Sequence, residues 1–428
     1  MGNLVERKRI TQMMKKIIIT ISLFLSLSYS PVSPVPEKED GKKSAPQAPQ
    51  NVEQPDINKP VPVKKPTGET ITLYKEKLKK LGSKDAEGHF QLAQWCQEKG
   101  LGLEMKSQLR RTIRLKPNHA QARELLGYVK ENNEWVLKEI ASWERKNGLV
   151  KYYNTWILDG TGNQLKYTPT PDELEEKKKW IKSWVLRTEH YLIRTNTDPD
   201  SAFKLGKVME SLYQTFFDVF DETMTLTEPA QMLRINVFKD RRDYSSITLQ
   251  QLGSVQGDGW FWPTDGVNTF VFGQTNLNLF HEGSHQLVYA CMGINPMESP
   301  TLWLHEGLGE YFEAGKLENN RIRLGNINLE NLTMLKGWLK QNTYIPLPQF
   351  LSLGKDQYMA DPRTYAQGWG LAHFLMEYRN GQYRPNFLTY LDDSRTTGGR
   401  FEDFKKAFNG IDLLNMEREW KDYLLTLR

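Results

Sequence analysis

His281-Glu282-Gly283-Ser284-His285 constrains this 428-residue chain more than any other stretch. Two histidines four positions apart stand on one face of a helix, so both imidazoles can reach one metal ion while Glu282 leans toward the same spot. Neutral imidazole is a good zinc ligand, and a site with three protein ligands keeps one position open for water. A glutamate beside that water can take its proton as it attacks a carbonyl. Such a site requires a helix through 281–285 and a second element that folds back with the remaining ligand.

The segment Leu302-Trp303-Leu304-His305-Glu306-Gly307-Leu308-Gly309-Glu310-Tyr311-Phe312-Glu313 has the pattern of that second element, with twenty residues between His285 and Glu306. Glu310, one turn after Glu306, and His305, its neighbour, are rival ligands. The plainer reading makes both motif histidines ordinary helix residues and Glu306, Glu310 and Glu313 a solvated helix face. Motif and segment together resemble the gluzincin metallopeptidases, whose signature is HExxH followed by a W-L-x-E-G-x-A-x-Y helix. The resemblance implies one Zn²⁺ per chain held by His281, His285 and Glu306, with Glu282 as general base. Gly309 departs from the pattern, which usually has alanine there; glycine weakens a helix but removes no ligand.

Lys15-Lys16, the eleven-residue run Ile17 to Leu27 and Ser28-Tyr29-Ser30 read as a secretory signal peptide over 1–30. The run is short for a bilayer span; Pro31 is awkward for cleavage, so an uncleaved anchor is the alternative and the one membrane contact expected. The expected location is exported: periplasm, envelope or exterior. Nine of the 21 prolines lie between Pro31 and Pro66 among Lys, Glu, Gln and Ser, so 31–69 reads as a disordered linker. Residues 1–66 also hold eleven Lys/Arg against six Asp/Glu, which leaves 46 of each sign in the rest. The remainder is neutral and gives no electrostatic support for a nucleic-acid partner. Cys96 and Cys291 sit in apolar, helical surroundings in different regions and read as buried free thiols.

Over 70–145 the pattern is helical. Leu92, Ala93, Cys96, Gly100, Met105, Leu109, Thr112 and Pro117 have the spacings of a tetratricopeptide-type helix hairpin, and Ala122, Leu126 and Gly127 recur where a following repeat would place them. One and a half repeats are too few for a peptide-binding groove, so a helical cap on the next domain is expected. His89 and His119 read as structural. Residues 146–184 form an aromatic and charged connector, its tryptophans and tyrosines expected to pack one element on the next.

From 185 to 428 the pattern mixes strands and helices. Glu189 to Asn196 alternates like a strand, Pro199 to Phe220 like an amphipathic helix, and Met232 to Phe238 like a second strand. Gly259 to Phe272, turning at Thr264-Asp265-Gly266, reads as a hairpin before the motif helix. That helix should be capped by Thr275 and stop at Gly293. Ile345 to Leu351 and Thr364 to Leu375, taken with the motif, look like an uncharacterised bacterial family of exported gluzincin-like proteins classed as a domain of unknown function. The resemblance implies an α+β, zincin-like domain with a small mixed sheet, and a cleft lined by the strand just upstream of the motif, for which Val267 to Phe272 is the free-edge candidate. It also implies a tyrosine or histidine that stabilises the oxyanion; Tyr365 is the candidate and His373, two turns later, the runner-up, with a plain core stripe as the alternative for both.

The expectation is therefore an exported zinc peptidase acting on a peptide or protein substrate. The rival is a catalytically inactive binding module of the same fold at the cell envelope.

Overall fold

The computed structural model describes residues 68–82, 85–131, 134–138, 155–157, 170–221, 224, 226–227, 229, 232–252, 257–273 and 276–428. The expected signal peptide, nearly all of the linker, the Tyr152-Tyr153-Asn154 cluster and the Thr275 cap lie outside them. Among the described residues no helix is long and apolar enough to cross a membrane.

The chain begins with α1 (Gly68–Lys79), α2 (Ala86–Glu98), α3 (Gly102–Leu115) and α4 (Ala120–Leu125). The pair α2–α3 is the expected hairpin. Ala93 and Leu109 close one small core between its helices, while Leu92 and Cys96 close another against Tyr74 of α1. His119 caps α4 by accepting from the Ala122 amide at 3.2 Å, and His89 bonds Gln108 at 2.7 Å, so both histidines are structural. The expected second repeat does not form. Gly127 takes φ +88, and the chain turns into an antiparallel hairpin of β1 (Tyr128–Glu131) and β2 (Glu134–Leu137), so 70–145 is not wholly helical.

The larger body is α+β. Its strands are β3 (Thr155–Ile157), β4 (Trp184–Arg187), β5 (Tyr191–Thr195), β6 (Leu233–Phe238), β7 (Gly259–Trp262) and β8 (Val267–Val271). They make one mixed sheet in the order β3-β4-β5-β6-β8-β7. β5, β6 and β8 run parallel to one another, while β4 and β7 pair antiparallel with their inner neighbours. Because β3 joins this sheet, the body reaches upstream of residue 185 into the expected connector. Trp184 is fully buried, and Trp180 stacks on Phe238 at 4.1 Å, so these connector aromatics pack.

Helix α5 (Pro171–Lys177) precedes β4, α6 (Pro199–Phe220) follows β5 and α7 (Arg241–Leu252) follows β6. Asp198 caps α6 through the Ser201 amide, with Pro199 in the first turn. Alternation along the strands decides which helix covers which face. Val237 and Phe270 look into the main core with α6, whereas their neighbours Phe238 and Val271 pack with Tyr244 of α7 on the other face. The α6 stripe Met209, Leu212, Phe216, Phe217 and Phe220 is completely buried. Each such side chain contributes about 1.5–3 kcal/mol on leaving water.

The motif helix α8 (Asn276–Leu287) lies across α6 and continues as a π-helical turn over Val288–Met292, ending at left-handed Gly293 as expected. After it come α9 (Trp303–Glu313), the hairpin β9 (Lys316–Glu318) and β10 (Arg321–Arg323), α10 (Leu329–Lys340), α11 (Leu347–Phe350), α12 (Lys355–Ala360) and α13 (Thr364–Glu377). Three further helices, α14 (Arg384–Thr397), α15 (Phe401–Ala407) and α16 (Leu413–Thr426), complete the chain.

One expectation is corrected by the sheet. Val267 to Phe272 is not a free edge, because β8 is paired with β6 on one side and β7 on the other. The hairpin folds so that its second strand inserts beside β6. Its first strand, Gly259–Trp262, is left outside as the edge.

Candidate metal centre

The site forms where α8 and α9 face each other. Gly283 lets α8 settle onto α6: a Cβ there would meet Leu212 Cδ2 at 2.4 Å. Trp303 anchors α9, buried and stacked on Tyr390 at 5.7 Å with the rings 8° apart. With both helices fixed, His281, His285 and Glu306 converge, their ligand atoms all within 4.8 Å of one another. Glu306 Oε2 stands 3.5 Å from His281 Nε2 and 3.8 Å from His285 Nε2. Donors about 2.1 Å from a tetrahedral zinc are about 3.4 Å apart, so the set fits that ion closely. The three side chains keep 14, 11 and 19 % of their surface exposed, so the group is recessed but reachable from solvent.

Gly309 is explained by the same geometry. A Cβ at 309 would lie 2.9 Å from His285 Cε1 and 3.0 Å from His281 Nε2. The glycine that departs from the W-L-x-E-G-x-A-x-Y pattern is the floor on which both imidazoles rest.

Of the rival ligands, His305 turns away and places Nε2 3.3 Å from Ser299 Oγ. Glu310 takes amide hydrogens from Asn331 at 2.7 Å and Asn328 at 3.4 Å, though it also borders His281 together with Glu313. Glu313 is the residue that sequence reasoning missed. Its Oε2 is 3.0 Å from His281 Nδ1, which turns that imidazole's Nε2 toward Glu306 and His285. A carboxylate behind a ligating histidine fixes tautomer and ring orientation. The signal was its spacing of seven from Glu306, two helical turns along the same face.

Electrostatics divide the two histidines. Burial pulls the His281 pKa down, but the hydrogen-bonded carboxylates of Glu306 and Glu313 outweigh it and hold the ring well above its usual value. Burial dominates at His285 and lowers it to about 4, so that ring is neutral near pH 7. Burial would raise Glu306, yet the imidazoles of His285 and His281 hold it at about 2.

Glu282, only 8 % exposed, extends from the same helix toward the sheet edge, where its Oε2 accepts the Phe261 amide hydrogen at 2.9 Å. Tyr365 stands half-buried on the first turn of α13, its ring 5.4 Å from that of Tyr358. That turn lies near α9, because the helices touch at Gly307 and Gly368, where a Cβ on Gly307 would meet the Gly368 carbonyl oxygen at 2.9 Å. His373 is engaged elsewhere: Nδ1 is 2.9 Å from Tyr423 Oη and Nε2 3.2 Å from the Gly325 carbonyl oxygen. The structure thus brings His281, His285 and Glu306 together and leaves His373 in the core stripe.

Residues 277–396 match the model of a family described as a protein of unknown function, DUF1570. The DUF1570 segment contains α8, α9 and α13, and with them every donor of the cluster as well as Glu313 and Tyr365. It leaves out β7, which supplies the amide on Glu282. No curated protein matches the chain.

Proposed function

We propose that the chain is a zinc-dependent peptidase of the gluzincin type, exported from the cell and acting on peptide or protein substrates. The observation that carries this reading is the convergence of His281 Nε2, His285 Nε2 and Glu306 Oε2 within zinc-ligand range, with Glu282 projecting from the same helix. A mixed sheet with an antiparallel edge strand beside the motif helix supports a zincin-like fold. The α2–α3 pair supports one tetratricopeptide-like hairpin serving as a cap.

His281, His285 and Glu306 would hold the zinc, which when bound supplies a Lewis acid for the substrate carbonyl and lowers the pKa of a coordinated water. Glu282 takes the proton of the attacking water on the carboxylate oxygen that Phe261 does not hold, then passes it to the leaving amine. Tyr365 is assigned the hydrogen bond to the oxygen that becomes negative in the transition state. Glu313 keeps His281 oriented.

A fluorescence-quenched peptide library tests the reading. Wild-type protein with zinc should cleave members of it; Glu282→Gln should lower turnover by a factor of about 10³ or more while keeping its zinc, because Glu282 acts on water and is not a ligand. Equal cleavage by wild type and Glu282→Gln would refute the assigned base. No cleavage by any form would favour the inactive binding module.

A further inference from the structure

The edge strand does more than border the cleft. In an antiparallel pair the main-chain groups of successive residues point alternately toward and away from the partner. The Val271 amide donates to the Asp258 carbonyl at 2.8 Å, and the register then sets Trp260 opposite Thr269 and Phe261 opposite Asn268. Gly259 and Phe261 therefore turn their main-chain groups off the sheet. An outward N–H on an edge strand ordinarily faces solvent or a partner strand. Here the Phe261 N–H meets Glu282 Oε2 at 2.9 Å.

The seam between strand and helix is built along its whole length. At one end a Cβ on Gly259 would lie 2.7 Å from Asn278 Nδ2, so only glycine permits the approach. At the other end the Phe261 ring rests 5.6 Å from Tyr289, two turns beyond Glu282.

We propose that the Phe261 amide is the positioning group of the general base: it fixes one oxygen of Glu282 and leaves the other to receive the proton. This rests on the peptidase reading above and adds what that reading lacks, the means by which the base is held. A general base must lie within about 3.2 Å of the proton it takes, and a misplacement of about 1 Å costs roughly 10²-fold in rate. A carboxylate pinned at one oxygen cannot swing out of reach. The arrangement also bears on recognition. A peptide that extends the sheet at β7 finds the Phe261 N–H already committed and must bind through other groups of that strand.

The test has two arms. In the full chain labelled with ¹⁵N-phenylalanine, the Phe261 resonance is assigned by its loss in Phe261→Leu, and its amide exchange is followed without metal. Glu282→Ala should speed that exchange at least tenfold, whereas Glu282→Gln, which keeps an oxygen acceptor, should leave it slow. Exchange indifferent to Glu282→Ala overturns the proposal, whatever the zinc or peptidase assays show. The second arm replaces the Phe261 peptide N–H by an ester oxygen through incorporation of phenyllactate. On the quenched peptide library kcat should fall about 10–100-fold, with KM and zinc content unchanged. An unchanged kcat overturns the positioning role. If the wild type cleaves nothing, the peptidase reading fails while the exchange arm still decides whether the amide holds the carboxylate.

Discussion

A methyl group at position 309 would press on both histidines, at 2.9 Å from His285 Cε1 and 3.0 Å from His281 Cε1. Alanine is the better helix former by about 1 kcal/mol, yet at this place its Cβ must displace ligands. Gly309→Ala should therefore weaken zinc binding about tenfold or more without unfolding the protein, in competition with a chromophoric chelator; unchanged affinity would mean the imidazoles do not rest there. Protonation gives a second prediction at this scale. Without metal, His281 is held above its usual pKa and is protonated at pH 7, while His285 at about 4 and Glu306 at about 2 have already lost their protons. Zinc takes neutral imidazole, so binding at pH 7 should release about one proton, and affinity should rise with pH until His281 titrates. The same raised pKa stabilises the metal-free fold below the unfolded value near 6.5, a contribution lost as pH climbs past the folded one. Calorimetry in buffers of different ionisation enthalpy counts the proton; a count near zero or two would contradict this assignment. The ligand residues were legible because motif and spacing name them. Glu313 was only half legible, and the Phe261 contribution was hidden, since a backbone amide carries no sequence signature.

At the scale of elements, strong periodicity was readable and neighbour order was not. Pro199–Phe220 is a helix over the whole expected span, because a capping Asp198, a first-turn Pro199 and a continuous apolar stripe agree. The hairpin ahead of the motif was also visible, but which of its strands would lie inside was not. That depends on β8 finding β6, a long-range pairing that no local pattern encodes. The tetratricopeptide spacing failed at Gly127 for a comparable reason: once the chain enters the left-handed region there, the β1–β2 hairpin competes with a second helix pair. Helix crossing gives the prediction for this scale. α9 and α13 meet backbone to backbone at Gly307 and Gly368, and a Cβ on Gly307 would stand 2.9 Å from a main-chain oxygen that cannot rotate away. Gly307→Ala should cost about 1–3 kcal/mol through overpacking, seen as a lowered Tm; an unchanged Tm would mean that the helices are not in contact there.

Across the whole molecule, the helical lead-in is fastened to the α+β body by charge. Arg114 pairs with buried Asp221 at 2.8 Å, Ser107 donates to the same carboxylate at 3.1 Å, Arg110 reaches the Leu226 carbonyl at 3.1 Å, and Arg123 pairs with Glu189 at 2.8 Å. These contacts tie α3 and α4 to the end of α6 and the start of β5, and α6 in turn supports the motif helix through Gly283. The lead-in thus belongs to the scaffold beneath the site, as expected of a cap. The account's central claim is that this scaffold exists to hold one zinc ion between α8 and α9. Metal analysis of the purified full chain, after zinc is supplied and excess removed, tests it most directly, with His281→Ala and Glu306→Ala alongside. The account predicts about one zinc per wild-type chain and loss of it in both variants. A wild type that retains none, or variants that retain as much as the wild type, would contradict it.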